Sequence, residues 1–247
     1  MEYIGEWMLH DMDEVTSTND EVLKLTQNII GEKVIISARN QTNGRGRRGR
    51  DWISLEGNLF FSLGFECDFK DLGAMVFISS LGIWRTIQDL NPLLDVQLKW
   101  PNDVLVNGRK ICGMLLEKGE GHYLIVGIGV NIKAAPLLVS TIYPCTSLLD
   151  AGIDVDRKSF LRSFIGNFDN YVNMWKSQGF TPIRDEWLAH VKGLGQAIVV
   201  RTDNSDEEGI FKGVDDHGSL LMETAGGIKK IYAGDVFYPQ RNIVVNE

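Results

Sequence analysis

Two apolar runs, Val34-Ile35-Ile36-Ser37-Ala38 and Leu59-Phe60-Phe61-Ser62-Leu63, enclose a stretch that no hydrophobic core can absorb. Between residues 40 and 58 the apolar periodicity disappears, and Gly44, Gly46, Gly49 and Gly57 interrupt the chain. The runs have the length and the β-branched or aromatic content of buried strands. The sheet they build must therefore carry the intervening segment at its rim, as a long loop. Loops of this length inside a domain are uncommon and tend to carry function. This one is expected to be mobile.

Its chemistry is specific. Residues 39–50 hold five arginines and no acid, in a chain whose 25 Lys+Arg and 33 Asp+Glu give a net charge of −8. Glycines allow close backbone approach and present N–H groups to anions. Arginines add planar, bidentate donors for carboxylate or phosphate. Trp52 offers a flat face to a purine or a cation. The segment reads as a hydrated basic surface, an RNA-binding tail, or a cradle for a small anionic ligand. Its place between buried strands and the acidity of the rest of the chain favour the cradle.

Elsewhere composition mainly excludes. Hydrophobic residues make up 44% of the chain and aromatics 9%, which supports a core and excludes a disordered polymer. Net acidity argues against general binding to DNA or to an anionic membrane. Cys67, Cys112 and Cys145 are widely spaced and odd in number, so neither a disulfide framework nor a zinc site is expected. His10, His122, His190 and His217 are scattered, and no metal site is fixed. There is no signal-peptide pattern, and no apolar run approaches the ~20 residues that span a bilayer. A cytoplasmic protein is expected.

The chain reads as an α+β protein. Trp7–Val15 is a strand. Ser17-Thr18-Asn19 followed by Asp20-Glu21 opens a helix that should stop at Gly31. Residues 72–90 have helical spacing, and strands follow at 96–100, 104–106, 110–117 and 121–132. Asn107-Gly108 marks a tight hairpin. Residues 160–175 form an amphipathic helix. After Gly193 come short strands with turns at Asp203-Asn204, His217-Gly218 and Gly226-Gly227. Two domains are expected: residues 1–192, a mixed sheet flanked by helices, and residues 193–247, a small β-barrel.

Three further segments hold candidate ligand groups. Lys99-Trp100-Pro101-Asn102-Asp103 ends a strand with polar groups at its tip, which is a ligand position and also ordinary turn chemistry. Lys110, among apolar neighbours in Arg109-Lys110-Ile111-Cys112-Gly113, suits a phosphate or carboxylate ligand or an exposed edge lysine. Ser17-Thr18-Asn19 suits either a ligand site or a helix cap. Gly127-Ile128-Gly129-Val130-Asn131 lacks the dinucleotide-binding spacing, and no P-loop or nucleophile elbow is present.

In combination, Ser17-Thr18-Asn19, residues 41–50, 99–103, 109–113 and 127–131 resemble biotin protein ligases. The Gly44–Arg50 loop and Lys99–Asp103 together are highly specific. The resemblance is strong from about Val15 to Ile132 and looser beyond. It implies a Src-homology-3-like barrel at the C-terminus. It also implies a two-step reaction, in which biotin and ATP give biotinyl-5′-adenylate and pyrophosphate, and a lysine of a biotin carboxyl carrier domain then displaces AMP. By this resemblance Ser17, Thr18, Asn19, Gln41, Gly44, Arg45, Arg47, Lys110 and Gly113 bind biotin. Arg47, Arg48, Arg50, Trp52, Lys99, Asn102, Lys110 and Asn131 bind ATP. Lys110, Arg47 and Asp103 carry the chemistry, with Asp103 placing the acceptor lysine or Mg²⁺. The loop should order on ligand binding and seal the adenylate from water. Only 16 residues precede Ser17, so no DNA-binding module is expected. Strands around 105–115 and 121–132 are expected to offer an edge for a homodimer or for carrier docking. A lipoate–protein ligase is the enzymatic rival.

Overall fold

Strand β2 (Trp7–Val15) lies parallel to β3 (Lys33–Gln41), which requires a crossover, and helix α1 (Thr18–Thr26) supplies it. A short strand, β1 (Glu2–Ile4), pairs antiparallel with the start of β2. The computed structural model describes residues 2–27, 31–68, 72–119, 121–137, 143–203 and 205–239. The expected end of the first helix at 28–30 and Asn204 of the expected turn therefore lie outside the described residues.

Next come β4 (Leu59–Glu66), α2 (Leu72–Leu90), β5 (Val96–Lys99), β6 (Asp103–Val106), β7 (Arg109–Lys118) and β8 (Tyr123–Val130). They complete an eight-stranded mixed sheet of order β1-β2-β3-β4-β8-β7-β6-β5. Between β6 and β7, Asn107 and Gly108 both have positive φ (50° and 74°), the backbone of the expected tight hairpin. The return of β8 to pair with β4 encloses β7 and β8 within the sheet. This corrects the expectation of a docking edge at 105–115 and 121–132. Among the named strands, β1 and β5 end the sheet.

Side-chain alternation splits the core between the two faces of the sheet. Val34 and Ile36 point to α1, where they meet Met8, Val22 and Ile125. Ile35, Leu59, Phe61 and Leu63 point to the opposite face. That face is covered by α2, α3 (Arg157–Gln178) and α4 (Phe180–His190). Aromatic edges lock this layer, with Phe61 and Phe164 5.2 Å apart and Phe77 and Trp187 4.6 Å apart. Helix α3 begins where the Asp156 carboxylate accepts from the Ser159 N–H at 3.0 Å, three residues before the apolar periodicity starts. The pattern of apolar residues had not signalled α4, which follows directly on Gly179 (φ 79°).

Strands β9 (Ala197–Arg201), β10 (Asp206–Val214), β11 (Leu220–Thr224), β12 (Gly227–Ile231) and β13 (Asp235–Phe237) form a five-stranded antiparallel sheet of order β12-β11-β10-β9-β13. Its core residues Phe211, Val214 and Leu220 belong to the same apolar cluster as Phe77 and Trp187. The Trp100 indole N–H donates to the Gly218 carbonyl at 3.0 Å, tying the tip of β5 to the β10–β11 turn. Among the described residues no helix is long and apolar enough to cross a membrane.

Helix α1 can approach β4 closely because residue 64 has no side chain. A Cβ there would run into the Val22 side chain and stand 2.8 Å from that of Val34. Gly64→Ala is expected to lower the unfolding free energy by about 1–3 kcal/mol, read from urea denaturation at unchanged slope.

Candidate active site

The loop between β3 and β4, the N-terminus of α1, the tip of the β5–β6 hairpin and the paired strands β7 and β8 converge on one cavity of about 490 Å³. Its floor is built by two glycines. Gly113 and Gly129 are register partners on β7 and β8, and the Trp52 indole lies against both. A Cβ at Gly113 would stand 2.8 Å from the ring, and one at Gly129 would collide with it. The Trp52 Nε1–H is buried and has no hydrogen-bond partner among the described residues.

One end of the cavity is a buried chain of polar groups. The Gln41 Oε1 accepts from the Thr18 backbone N–H at 2.9 Å and from its hydroxyl at 3.1 Å. The Ser62 hydroxyl stands 2.7 Å from Thr18 Oγ1 and 2.5 Å from Asn19 Oδ1. The Asn19 amide in turn donates to Glu117 at 2.6 Å. Arg45 closes this end, donating to both oxygens of Asp20 (2.8 and 2.7 Å) and to Glu117 at 3.2 Å. These bonds to Arg45 hold the Asp20 carboxyl below its usual pKa, against the effect of burial. Ser17 stands at the helix N-cap, yet its side chain makes no capping bond and lines the cavity.

The other end is cationic. Lys99 is only 5% exposed, and burial above all lowers its pKa to about 8. Its ammonium lies 3.3 Å from the Tyr143 ring centroid. Arg47 is likewise pushed below its ordinary pKa by burial, and its guanidinium donates to Asn102 Oδ1 at 3.2 Å. Neither cation forms an ion pair among the described residues. Lys110 is bound to Asp103 at 2.7 Å. The covered position of Lys110 inside the sheet removes its reading as an edge lysine. Asn102 donates to the Met114 carbonyl, and Asn131 to that of Thr146 at 3.1 Å.

The arginine-rich segment is tightly folded upon itself. Arg45 bridges to Asp51, Gly44 O accepts from the Trp52 N–H at 2.9 Å, and residues 47–49 make one 3-10 turn with Arg48 at φ 57°. Arg50 and Arg48 reach Asp235 of β13 at 2.8 and 3.4 Å, and Arg48 also meets Asp203 and the Arg201 carbonyl. Arg39 pairs with Asp13 at 3.3 Å. Four of the five arginines are thus engaged by acids of this chain and Arg47 is buried, which does not suit an RNA-binding tail.

Of the expected site residues, Ser17, Thr18, Asn19, Gln41, Arg45, Arg47, Arg50, Trp52, Lys99, Asn102, Asp103, Lys110, Gly113 and Asn131 line the cavity. Gly44 and Arg48 do not. Gly44 is pressed against the Trp52 backbone, where a Cβ would stand 2.7 Å from the carbonyl oxygen, and Arg48 turns toward the C-terminal sheet. Sequence reasoning missed Ser62, Glu117, Tyr143 and Asp235. A serine inside the Leu59–Leu63 apolar run was a usable signal for Ser62. The other three arrive by long-range packing alone.

Comparison with known proteins follows this geometry. Residues 12–131 match the biotin/lipoate A/B protein ligase family, and residues 193–238 match the biotin protein ligase C-terminal domain. The chain is 36% identical to a biotin–[acetyl-CoA-carboxylase] ligase of Paracoccus denitrificans, over 90% of this chain and 97% of that protein. It is 33% identical to a bifunctional ligase/repressor of Bacillus subtilis, over 95% of this chain and 75% of the relative. The structure of a biotin protein ligase from Aquifex aeolicus in complex with biotin and ATP superposes with a TM-score of 0.81 at 28% identity, covering 93% of this chain and 97% of that one.

The buried Lys99 ammonium imposes a testable cost on folding. Below pH 8 both folded and unfolded chains carry the charge, and the folded state bears the full penalty. Between pH 8 and the unfolded lysine value of about 10.4 the penalty fades. Lys99→Met is expected to stabilise the protein at pH 7 by about 1–3 kcal/mol. The gain should shrink toward pH 10, measured as the wild-type-to-variant difference in urea unfolding.

Proposed function

The chain belongs to the biotin protein ligase family, and from that membership we propose how its cavity divides the reaction. The protein is an ATP-dependent, AMP-forming ligase that activates biotin as biotinyl-5′-adenylate and transfers it to a lysine of a biotin carboxyl carrier domain. The observation that carries the assignment is a pair of cations in the wall of one cavity, buried Lys99 and half-buried Arg47, neither ion-paired with a carboxylate among the described residues. Unpaired buried charge costs several kcal/mol, a cost that a bound anion offsets.

Ser17, Thr18, Asn19 and Gln41, with the backbone of Gly113, take the ureido ring of biotin, and Arg45 covers it, while Gly44, assigned from the sequence to biotin, acts instead by letting the loop close on Trp52. Arg47 and Lys110 hold the biotin carboxylate beside the α-phosphate. One carboxylate oxygen attacks phosphorus in line and pyrophosphate leaves, with the two cations stabilising the charge shared between nucleophile and phosphate. Lys99 and Arg50 neutralise the outgoing polyphosphate, while Trp52, Asn102 and Asn131 lie on the adenine side. In the second step the neutral amine of the carrier lysine attacks the acyl carbon, AMP departs, and the amine proton is lost. Asp103 holds Lys110 in place. Arg48, assigned from the sequence to ATP, acts instead through Asp203 and Asp235 as an anchor of the loop.

Asp103 is committed to Lys110 and Asp235 to Arg50, a donor set ill suited to a metal held by the protein. Mg²⁺ is therefore taken to arrive on the ATP phosphates. Residues 1–192 are read as the catalytic unit. Residues 193–247 are read as a Src-homology-3-like barrel, which the antiparallel β9–β13 sheet supports. For a homodimer or carrier docking by strand addition, β1 is one end strand of the larger sheet.

The deciding experiment incubates the protein with labelled biotin or lipoate, ATP and a carrier domain. Biotin should be transferred and lipoate left untouched, and preferential lipoate transfer would overturn the assignment. Lys110→Ala should depress biotin-dependent ATP–pyrophosphate exchange at least 100-fold with little change in unfolding midpoint, on the scale of losing a preorganised charge, about 10²–10³. Arg47→Gly should release adenylate to solvent in a single turnover, seen as biotinylation of bystander lysines. Exchange at the wild-type rate in the first variant, or no extra release in the second, refutes the corresponding role.

A further inference from the structure

A buried ammonium usually has two outcomes: it loses its proton, or it takes a carboxylate partner. Lys99 has neither outcome. Its pKa of about 8 leaves it charged at neutral pH, and no carboxylate among the described residues pairs with it. The Tyr143 ring stands against it instead, with the centroid 3.3 Å from Nζ. Phe237 of β13 lies 5.6 Å from the Tyr143 ring, and the Arg201 guanidinium lies 4.8 Å from the Phe237 centroid. Two neighbouring rings with a cation against each thus form a row from the C-terminal sheet to the end of β5.

We infer that Tyr143, supported by Phe237, is a positioning residue for adenylation that holds the Lys99 ammonium charged and in place for the ATP polyphosphate. This rests on the reading above, in which Lys99 faces the phosphates. A carboxylate in the same place would hold the lysine and cancel the charge that phosphate needs. The quadrupole of an aromatic face attracts the cation while carrying no net charge, so the full positive charge stays available to the ligand. The groups that face Lys99 are Asp103 of β6, Asp235 of β13, Lys110 of β7 and Lys192 beyond α4, the acids favouring the ammonium and the lysines opposing it. Burial, with Asp235 and Asp103 nearby, raises the pKa of the Tyr143 hydroxyl, so the ring stays neutral across the working pH range. Nothing in the sequence around Tyr143 suggested this role.

The test is the pH dependence of kcat/KM for ATP, followed by ATP–pyrophosphate exchange at saturating biotin. This ratio reports ionisations of the ATP-free enzyme. Wild type should lose activity above pH 8. Y143F, which keeps the ring face, should keep the alkaline limb where wild type has it, whatever its absolute rate. Y143L should move the limb down by about one pH unit, a loss of up to about tenfold at the alkaline end. F237L should shift it the same way by less, and it carries the test if Y143L does not fold. An unmoved limb in Y143L or F237L, or a Y143F limb displaced like that of Y143L, overturns the role of Tyr143. An unchanged kcat/KM and profile in K99M would instead overturn the placement of Lys99 at the phosphates, a result distinguishable from the other failures.

Discussion

Positive charge held out of water without an anion is the constraint around which this molecule is arranged. Lys99 has almost no access to water where it stands and Arg47 is half-buried, and the surrounding structure must hold them there against their tendency to reach solvent. The eight-stranded sheet supplies the rigidity. Lys99 ends β5, Lys110 lies on interior strand β7, and both strands are braced by helices packed on the far face. A flexible scaffold would let the lysine side chains turn outward, and the cavity would lose its cationic wall.

The acids of the chain complete this arrangement. Asp103 holds Lys110, Asp20 and Glu117 hold Arg45, and Asp235 holds Arg50. A net charge of −8 therefore coexists with a locally cationic wall, because part of the negative charge is spent in fixing the positive groups. Charged side chains that already have partners need less reordering when substrate arrives. Lys99 and Arg47, without an ion pair among the described residues, leave their charge open to the cavity.

Local chemistry was legible in the sequence where it depended on neighbours in the chain. Val34–Ala38 and Leu59–Leu63 announced buried strands, Asn107-Gly108 announced a tight turn, and the glycine–arginine segment announced residues that line the cavity. What depended on strand order was not legible. The pairing of β8 with β4 buried strands that looked available for docking. Tyr143 and Asp235 reach the cavity from 33 and 125 residues beyond Lys110, Tyr143 after β8 and Asp235 from the second sheet, while Glu117, on β7 itself, meets Asn19 and Arg45 only through the fold. The segment expected to be a mobile loop carries enough arginine–carboxylate pairs to take a defined shape, and those carboxylates lie far away in sequence.

The clasp between Arg48, Arg50 and Asp235 bears on how such a protein can be inherited. The second sheet looks like an appendage in the order of strands, yet it contributes a wall residue and the anchor of the arginine-rich segment. A C-terminal unit acquired by recombination from a distant relative would bring its own residue to the place of Asp235 and its own side chain to that of Phe237. Unless both matched, the recipient would gain a folded module and lose a functional one. The two parts of this chain are therefore constrained to diverge together, each substitution on one side of the clasp limiting what the other side can accept.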